Sequence, residues 1–208
     1  MASLVIDNFT EGTYNASLIS GNNLNYQSGS TGSIVGGKRS TYLAITSDFN
    51  QTPGATLDIG RGRLILDTGV RVYHRLEVGY GYDETLLWRY FPLRLNLRPD
   101  LSPYTRFRIN FNFSDNIQGD NFNIQVGTAP GSLDGLPGGG ISQAGVSTLP
   151  VGTSPFSFEL PFDSFVGVGG PVAGAAADFH SIDTILLIFQ TGSPGGASDF
   201  AIHSIECV

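Results

Sequence analysis

Arginine recurs at even spacing along short runs of alternating sequence. Arg71 and Arg75, Arg94 and Arg98, and Arg106 and Arg108 sit two or four residues apart. On an extended chain even spacing puts both members of a pair on the same side of the strand. Guanidinium groups arranged this way bind carboxylate or sulfate through two parallel hydrogen bonds. Tyr73 lies between Arg71 and Arg75 and points with them, and Trp88 follows in a segment that also holds Tyr80, Tyr82 and Tyr90. Such rings can stack on the apolar face of a sugar. The expected ligand-binding set is Arg71, Tyr73, Arg75, Arg94, Arg98, Arg106, Arg108 and Trp88. The expected partner is a polysaccharide or glycan, anionic glycans included. The bland alternative is a solvated strand face whose arginines pair with Asp and Glu across strands, for a few tenths of a kcal/mol each.

The charge distribution sharpens this reading. All eleven basic residues lie between Lys38 and Arg108, and the stretch 109–208 has nine acids and no Lys or Arg. The net charge of −7 therefore divides into −2 for 1–37, +4 for 38–108 and −9 for 109–208. A split of this kind bears on partners more than on fold. Besides a glycan, it allows head-to-tail association of copies into a surface layer or fibre. A nucleic-acid partner is not expected for a chain of this charge with no basic tail.

These side chains need strands to position them, and the sequence supplies strand signals nearly throughout. Short runs of period-two alternation are separated by Gly, Pro, Asn and Asp clusters. Strands are expected at 3–9, 13–19, 23–28, 41–46, 55–59, 63–66, 70–78, 93–98, 105–113, 121–126, 155–160, 184–190 and 199–206. In 105–113, Phe107, Ile109, Phe111 and Phe113 alternate with Arg106, Arg108, Asn110 and Asn112. The run 184–190 is apolar almost throughout and reads as a central strand covered on both faces. Helix signal is confined to a turn or two over 83–90. The Gly-rich stretches 128–153 and 166–177 read as long loops, the first with room for one short strand. The expected fold is all-β, a two-sheet antiparallel jelly-roll β-sandwich with little or no helix, forming a single domain over 1–208.

The two ends carry a resemblance. Asp178-Phe-His-Ser-Ile-Asp-Thr-Ile-Leu-Leu-Ile-Phe189, a Gly-rich turn, then Asp199-Phe-Ala-Ile-His-Ser-Ile-Glu206 resembles the final strand pair of galactose-binding-like jelly rolls. Ile6-Asp7-Asn8-Phe9 resembles the first strand of that fold, which many carbohydrate-binding modules of secreted bacterial proteins use. The resemblance implies a jelly roll and a carbohydrate-binding role. It also implies a structural calcium near the paired terminal strands, where Asp7, Glu11 and Asp199 are the nearest acids. No other cofactor is expected. The Asx-Gly loop 114–121 offers oxygen ligands too, but such clusters are ordinary hairpin turns.

Three histidines occur, His74, His180 and His203, and His74 falls on the apolar side of its strand. That placement reads as a satisfied core or sheet-edge histidine. Arg71, Tyr73 and Arg75 are residue types that a polysaccharide lyase uses, though an ordinary tyrosine needs strong tuning to act as a base near neutrality. The single cysteine, Cys207, excludes an internal disulfide. No apolar run reaches the length of a membrane-spanning helix. The expectation from the sequence is a non-catalytic carbohydrate-binding module that is secreted or at the cell surface. Self-assembly as a structural subunit comes second, and a polysaccharide lyase third.

Overall fold

The computed structural model describes residues 3–48, 54–81, 97, 99–116, 119–128, 140–167, 177–191 and 197–208. In chain order the strands are β1 (Leu4–Asp7), β2 (Tyr14–Leu18), β3 (Gly21–Ser28), β4 (Lys38–Asp48), β5 (Ala55–Gly60), β6 (Arg63–Thr68) and β7 (Val72–Tyr80). There follow β8 (Arg106–Asn116), β9 (Asn121–Thr128), β10 (Gly140–Val146), β11 (Phe156–Pro161), β12 (Val166–Gly167), β13 (Thr184–Gln190) and β14 (Ser198–Cys207). Short 3₁₀ turns at Val35–Gly37 and Phe162–Ser164 are the helical elements of the described residues.

The strands form two antiparallel seven-stranded sheets. The first runs β11-β8-β14-β6-β5-β2, with β1 also paired to β14, and the second runs β12-β10-β9-β13-β7-β4-β3. The fold is the all-β sandwich that the alternation predicts. Pairing is long-range: β14 lies beside β8 and β6, and β13 lies between β7 and β9.

The core lies between the sheets. Leu57, Ile59, Leu64, Leu66, Ile109 and Ile202 enter from the first sheet, and Leu43, Leu76, Val78, Ile124, Val126 and Leu187 from the second. Aromatic rings bridge the layers, with Phe189 of β13 tilted against Phe200 of β14 at 4.8 Å and against Phe122 at 4.6 Å. Offset ring contacts of this type add about 0.5–1.5 kcal/mol each beyond simple burial. The β5–β6 hairpin turns through Arg61 and Gly62 at φ 54° and 77°. This left-handed pair matches the twist of the flanking strands.

Three local expectations change. The strand read as 70–78 begins at Val72, and Val70 is exposed. The period of β8 breaks before its end: Phe113 lies opposite Ala201 and Ser114 opposite Phe200, with register shifts in β14 between Ala201 and Ser204. An extra residue in one strand reverses the side-chain alternation beyond it. Phe113 therefore shares the outer side with Ala201 and Ile65, while buried Ser114 takes the inner position. The stretch 128–153 holds the seven-residue β10, longer than the short strand expected there.

Candidate functional site

The expected arginine surface is divided between the two sheets. Tyr73 and Arg75 lie on β7 of the second sheet, and Arg106 and Arg108 on β8 of the first. Solvent-facing sides of a sandwich look in opposite directions, so these groups do not converge. Even spacing determines the face within a strand but not the sheet the strand joins. Arg94, Arg98 and Trp88 lie outside the described residues.

Each described arginine has its own setting. Arg71 is exposed in the turn before β7 at φ 66°. Arg75 Nε is 2.5 Å from Glu77 Oε1, and its Nη1 donates to Gln190 Oε1 at 3.2 Å. Arg106 and Arg108 both reach Glu159 on β11, at 2.8 and 2.7 Å. The hydrogen bond from Arg108 and the charge of Arg106 hold the Glu159 carboxyl below the usual glutamate range.

The three acids expected around a calcium do not meet. Asp7 pairs with Ile205 on β14, six residues from Asp199, a separation of about 20 Å along the strand. Asp199 accepts from the Thr68 N–H at 2.9 Å, and Glu11 accepts from the N–H and Oγ of Ser30. Asp7 is fully buried against a cation of the chain itself: Arg39 Nη1 lies 2.7 Å from Asp7 Oδ2. Arg39 also donates through Nε to Gln27 Oε1 at 2.9 Å, and through Nη2 to the carbonyls of Gly12 and Glu11. Its guanidinium lies over the Phe9 ring, 5.4 Å from the centroid. A carboxylate, an amide oxygen and two backbone carbonyls thus surround the guanidinium. Among the described residues no group of three His, Cys, Asp or Glu side chains is placed to hold a metal.

The outer face of the second sheet brings different residues together. Ile185, Leu187 and Phe189 of β13 point into the core, so Leu186 and Ile188 point outward. Both are nevertheless buried, at 9% and 6% exposure, and form an apolar floor at the centre of this face. Gln125 and Gln143 continue the row of Leu186 to one side. Asn123, Ile188, Glu77 and Tyr42 form the next row, and Tyr26 lies diagonally beyond Tyr42 on β3.

The amides form a chain. Gln125 Nε2 donates to Gln143 Oε1 at 2.8 Å, and Gln143 Nε2 donates to Asn123 Oδ1 at 2.9 Å. Gly145 makes room for it, because a Cβ there would lie 2.3 Å from Asn123 Oδ1. All three amides are half-buried, and each keeps hydrogen-bonding capacity beyond the chain. At the centre Arg75 and Glu77 cancel one another's charge. From Tyr42 on β4 to Gln143 on β10 the face crosses four interstrand steps, roughly 19 Å. That width suits a run of linked rings better than one small molecule.

Sequence reasoning missed Asn123, Gln125, Gln143, Tyr42 and the outward pair Leu186 and Ile188. Asn121, Asn123 and Gln125 alternate with Phe122, Ile124 and Val126, so their shared face was readable. Gln143 lay in a stretch read mainly as loop.

Beneath this face His74 is buried, as its position on the apolar side of β7 predicts. Its Nδ1 lies 2.9 Å from Thr191 Oγ1 and its Nε2 3.2 Å from Asp120 Oδ2. Hydroxyl, imidazole and carboxylate line up as in nucleophilic enzymes, but all three residues are buried between the sheets. Cys207 is also fully buried, its thiol pushed up by burial, so it serves as a small apolar core residue.

No protein-family model and no curated protein matches the chain. Among solved structures it is similar to the family 11 carbohydrate-binding module of the cellulosomal cellulase Lic26A-Cel5E of Clostridium thermocellum. That alignment has 13% identity and a TM-score of 0.44, over 100% of this chain and 95% of that one. The same kind of module from Clostridium thermocellum, in complex with a beta-1,3-1,4-mixed-linked tetrasaccharide, aligns at 14% identity and a TM-score of 0.41, over 99% and 95% of the two chains. TmCBM61 in complex with beta-1,4-galactotriose aligns at 9% identity and a TM-score of 0.29, over 68% and 69%. Likeness at these identities and scores does not transfer a ligand or a site. Among the described residues no helix is long and apolar enough to cross a membrane.

Proposed function

We propose that the outer face of the second sheet binds a neutral oligosaccharide without transforming it. The observation that carries this reading is the Gln125–Gln143–Asn123 amide chain beside the apolar floor of Leu186 and Ile188. A sugar ring offers two kinds of surface, hydroxyls at its edge and C–H groups on its face. Planar amides serve the first because they donate and accept in fixed directions. Aliphatic floor and tyrosine rings serve the second. Tyr42 and Tyr26 supply rings at one side, with Tyr73 near Arg75 as a further candidate.

Charge argues for a neutral ligand. Arg75 is engaged by Glu77, so the face offers a uronate or sulfate little net attraction. The same pairing favours binding over catalysis, because the carboxylate at the centre of the face is already held. Arg106 and Arg108 stand apart on the other sheet with Glu159 and are not part of this site. A glycan-binding protein of this kind acts where polysaccharides are, outside the cell or on its surface.

A glycan array spanning neutral, uronate and sulfated oligosaccharides tests the reading at low and at high salt. Binding to neutral β- or α-linked chains that persists at high salt is expected. Binding restricted to anionic glycans and lost with salt, or no binding at all, overturns it.

A further inference from the structure

Three residues of the buried polar chain are sequence neighbours of three residues on the proposed glycan face. His74 precedes Arg75, Thr191 follows Gln190, and Asp120 precedes Asn121. Gln190 lies directly opposite both Arg75 and Asn121, so these three form one row across β7, β13 and β9. Arg75 Nη1 donates to Gln190 Oε1 within that row. Directly below it run His74, Thr191 and Asp120.

Hydrogen-bond directions in the buried chain can be followed atom by atom. The His74 backbone N–H donates to Thr191 Oγ1 at 3.0 Å, so one lone pair of that oxygen is occupied. The Thr191 hydroxyl also contacts His74 Nδ1 at 2.9 Å, and its own proton suits that nitrogen. With the hydroxyl donating, Nδ1 accepts and the ring proton sits on Nε2, which faces Asp120 Oδ2 at 3.2 Å. Asp120 Oδ1 accepts from Ser198 Oγ at 3.0 Å. Ser198 N donates to Thr68 Oγ1 at 2.8 Å, and Thr68 Oγ1 donates back to the Ser198 carbonyl at 3.0 Å. The contacts thus pass from the second sheet to the first, with His74 Nε2 and Asp120 Oδ2 meeting at ion-pair distance but without the alignment of a hydrogen bond. Buried polar groups packed this closely restrict one another's positions, and the facing Nε2 and Oδ2 have each other as the nearest polar atom to pair with.

We propose that the Thr191–His74–Asp120 chain is a positioning device for the Arg75–Gln190–Asn121 row, with His74 held as the neutral tautomer protonated on Nε2. The chain anchors three strands at one end of the face and ties them to the opposite sheet through Ser198 and Thr68. Arg75 and Gln190 are thereby held in register for a ligand. The consequence for a ligand rests on the glycan reading, whereas the tautomer and the geometry of the row do not.

Long-range proton–nitrogen correlation of the His74 ring at neutral pH is the first measurement. Two distinct ring nitrogens with the proton on Nε2 are expected, and a proton on Nδ1 or a doubly protonated ring overturns the proposal. The second measurement compares Thr191→Val with Thr191→Ser. In the folded valine variant the Arg75 Nε–H and Gln190 side-chain resonances should shift and affinity for the array-selected oligosaccharide fall about tenfold. Serine should restore both. A folded valine variant with unchanged resonances overturns the proposal. If valine prevents folding, the serine variant decides, because loss of the Nε2–H tautomer there also overturns it. If the wild type binds no oligosaccharide, the glycan reading fails, while the ring and side-chain resonances still decide the positioning role.

Discussion

Arg39 and Asp7 form an ion pair at 2.7 Å with both side chains fully out of solvent. Tyr80 donates to the same Asp7 oxygen at 2.8 Å, and the Phe9 N–H donates to the other at 2.7 Å. The cluster joins β1 of the first sheet to β3, β4 and β7 of the second. Burial pushes the Asp7 carboxyl up, and the Arg39 charge and hydrogen bond oppose that. Removing one partner of such a pair leaves an uncompensated buried charge and costs about 3–5 kcal/mol. Arg39→Met should lower unfolding stability by that amount in denaturant titrations. The double variant Asp7→Leu with Arg39→Met should recover part of the loss, because no lone charge then remains.

The same cage gives a metal-removal prediction. Its oxygens already hold the Arg39 guanidinium, so a chelator should leave the thermal midpoint of the wild type unchanged, and added calcium should not raise it. A calcium-dependent shift in calorimetry would contradict this account of the terminal strands.

Asp199 supplies a pH dependence of definite sign. Burial raises its carboxyl above the ordinary aspartate value of 3.8, and the neighbouring Asp67 and Asp115 raise it further. Asp115 lies directly opposite it on β8. The folded protein therefore holds this proton more tightly than the unfolded chain does. Its contribution to stability is most favourable below 3.8 and is lost as pH rises through the raised folded value. Asp199→Asn keeps an acceptor for the Thr68 N–H and removes the repulsion. Since the group is about half exposed, a gain of only about 0.2–0.5 kcal/mol is expected at neutral pH, vanishing in acid. Denaturant titrations of both proteins at the two pH values check it.

Glu159 keeps the Arg106 and Arg108 pair from acting as an anion site. Glu159→Gln should increase retention on a sulfate-bearing resin, with an elution position that moves strongly with salt. Stability should change by less than about 1 kcal/mol, because the ion pairs are partly exposed.

The amide chain predicts a contrast between two small changes. Gln143→Ala should weaken oligosaccharide binding about fivefold, the equivalent of one modest hydrogen bond, with little effect on folding. Gly145→Ala should weaken binding and stability together, since the new methyl would meet Asn123 Oδ1 and the Phe122 carbonyl, both at 2.3 Å. Calorimetric titration with denaturant unfolding on the same samples separates the two effects.

The strands were largely legible because alternation is local. β5, β8, β11, β13 and β14 lie within a few residues of where their apolar periods place them, and buried His74 follows from the same pattern. The extra residue that turns Phe113 outward was not legible, since its cause is the pairing of β8 with β14 across more than eighty residues of chain. Nor was the partner of Asp7 legible, because Arg39 reaches it only after β4 and β1 are brought together by separate sheets.

By itself the sequence determined an all-β sandwich, the core-facing side of its strands up to the extra residue in β8, and the supply of arginine, amide and tyrosine side chains for the outer surfaces. The tertiary structure alone decided which of them share a surface. It separated Arg75 from Arg106 and Arg108, gave Arg75 the carboxylate of Glu77 and the other two a shared one in Glu159, and set Asn123 and Gln125 of β9 beside Gln143 of β10. The physical reason is that side-chain alternation repeats every two residues, whereas strand order depends on which distant apolar faces bury one another.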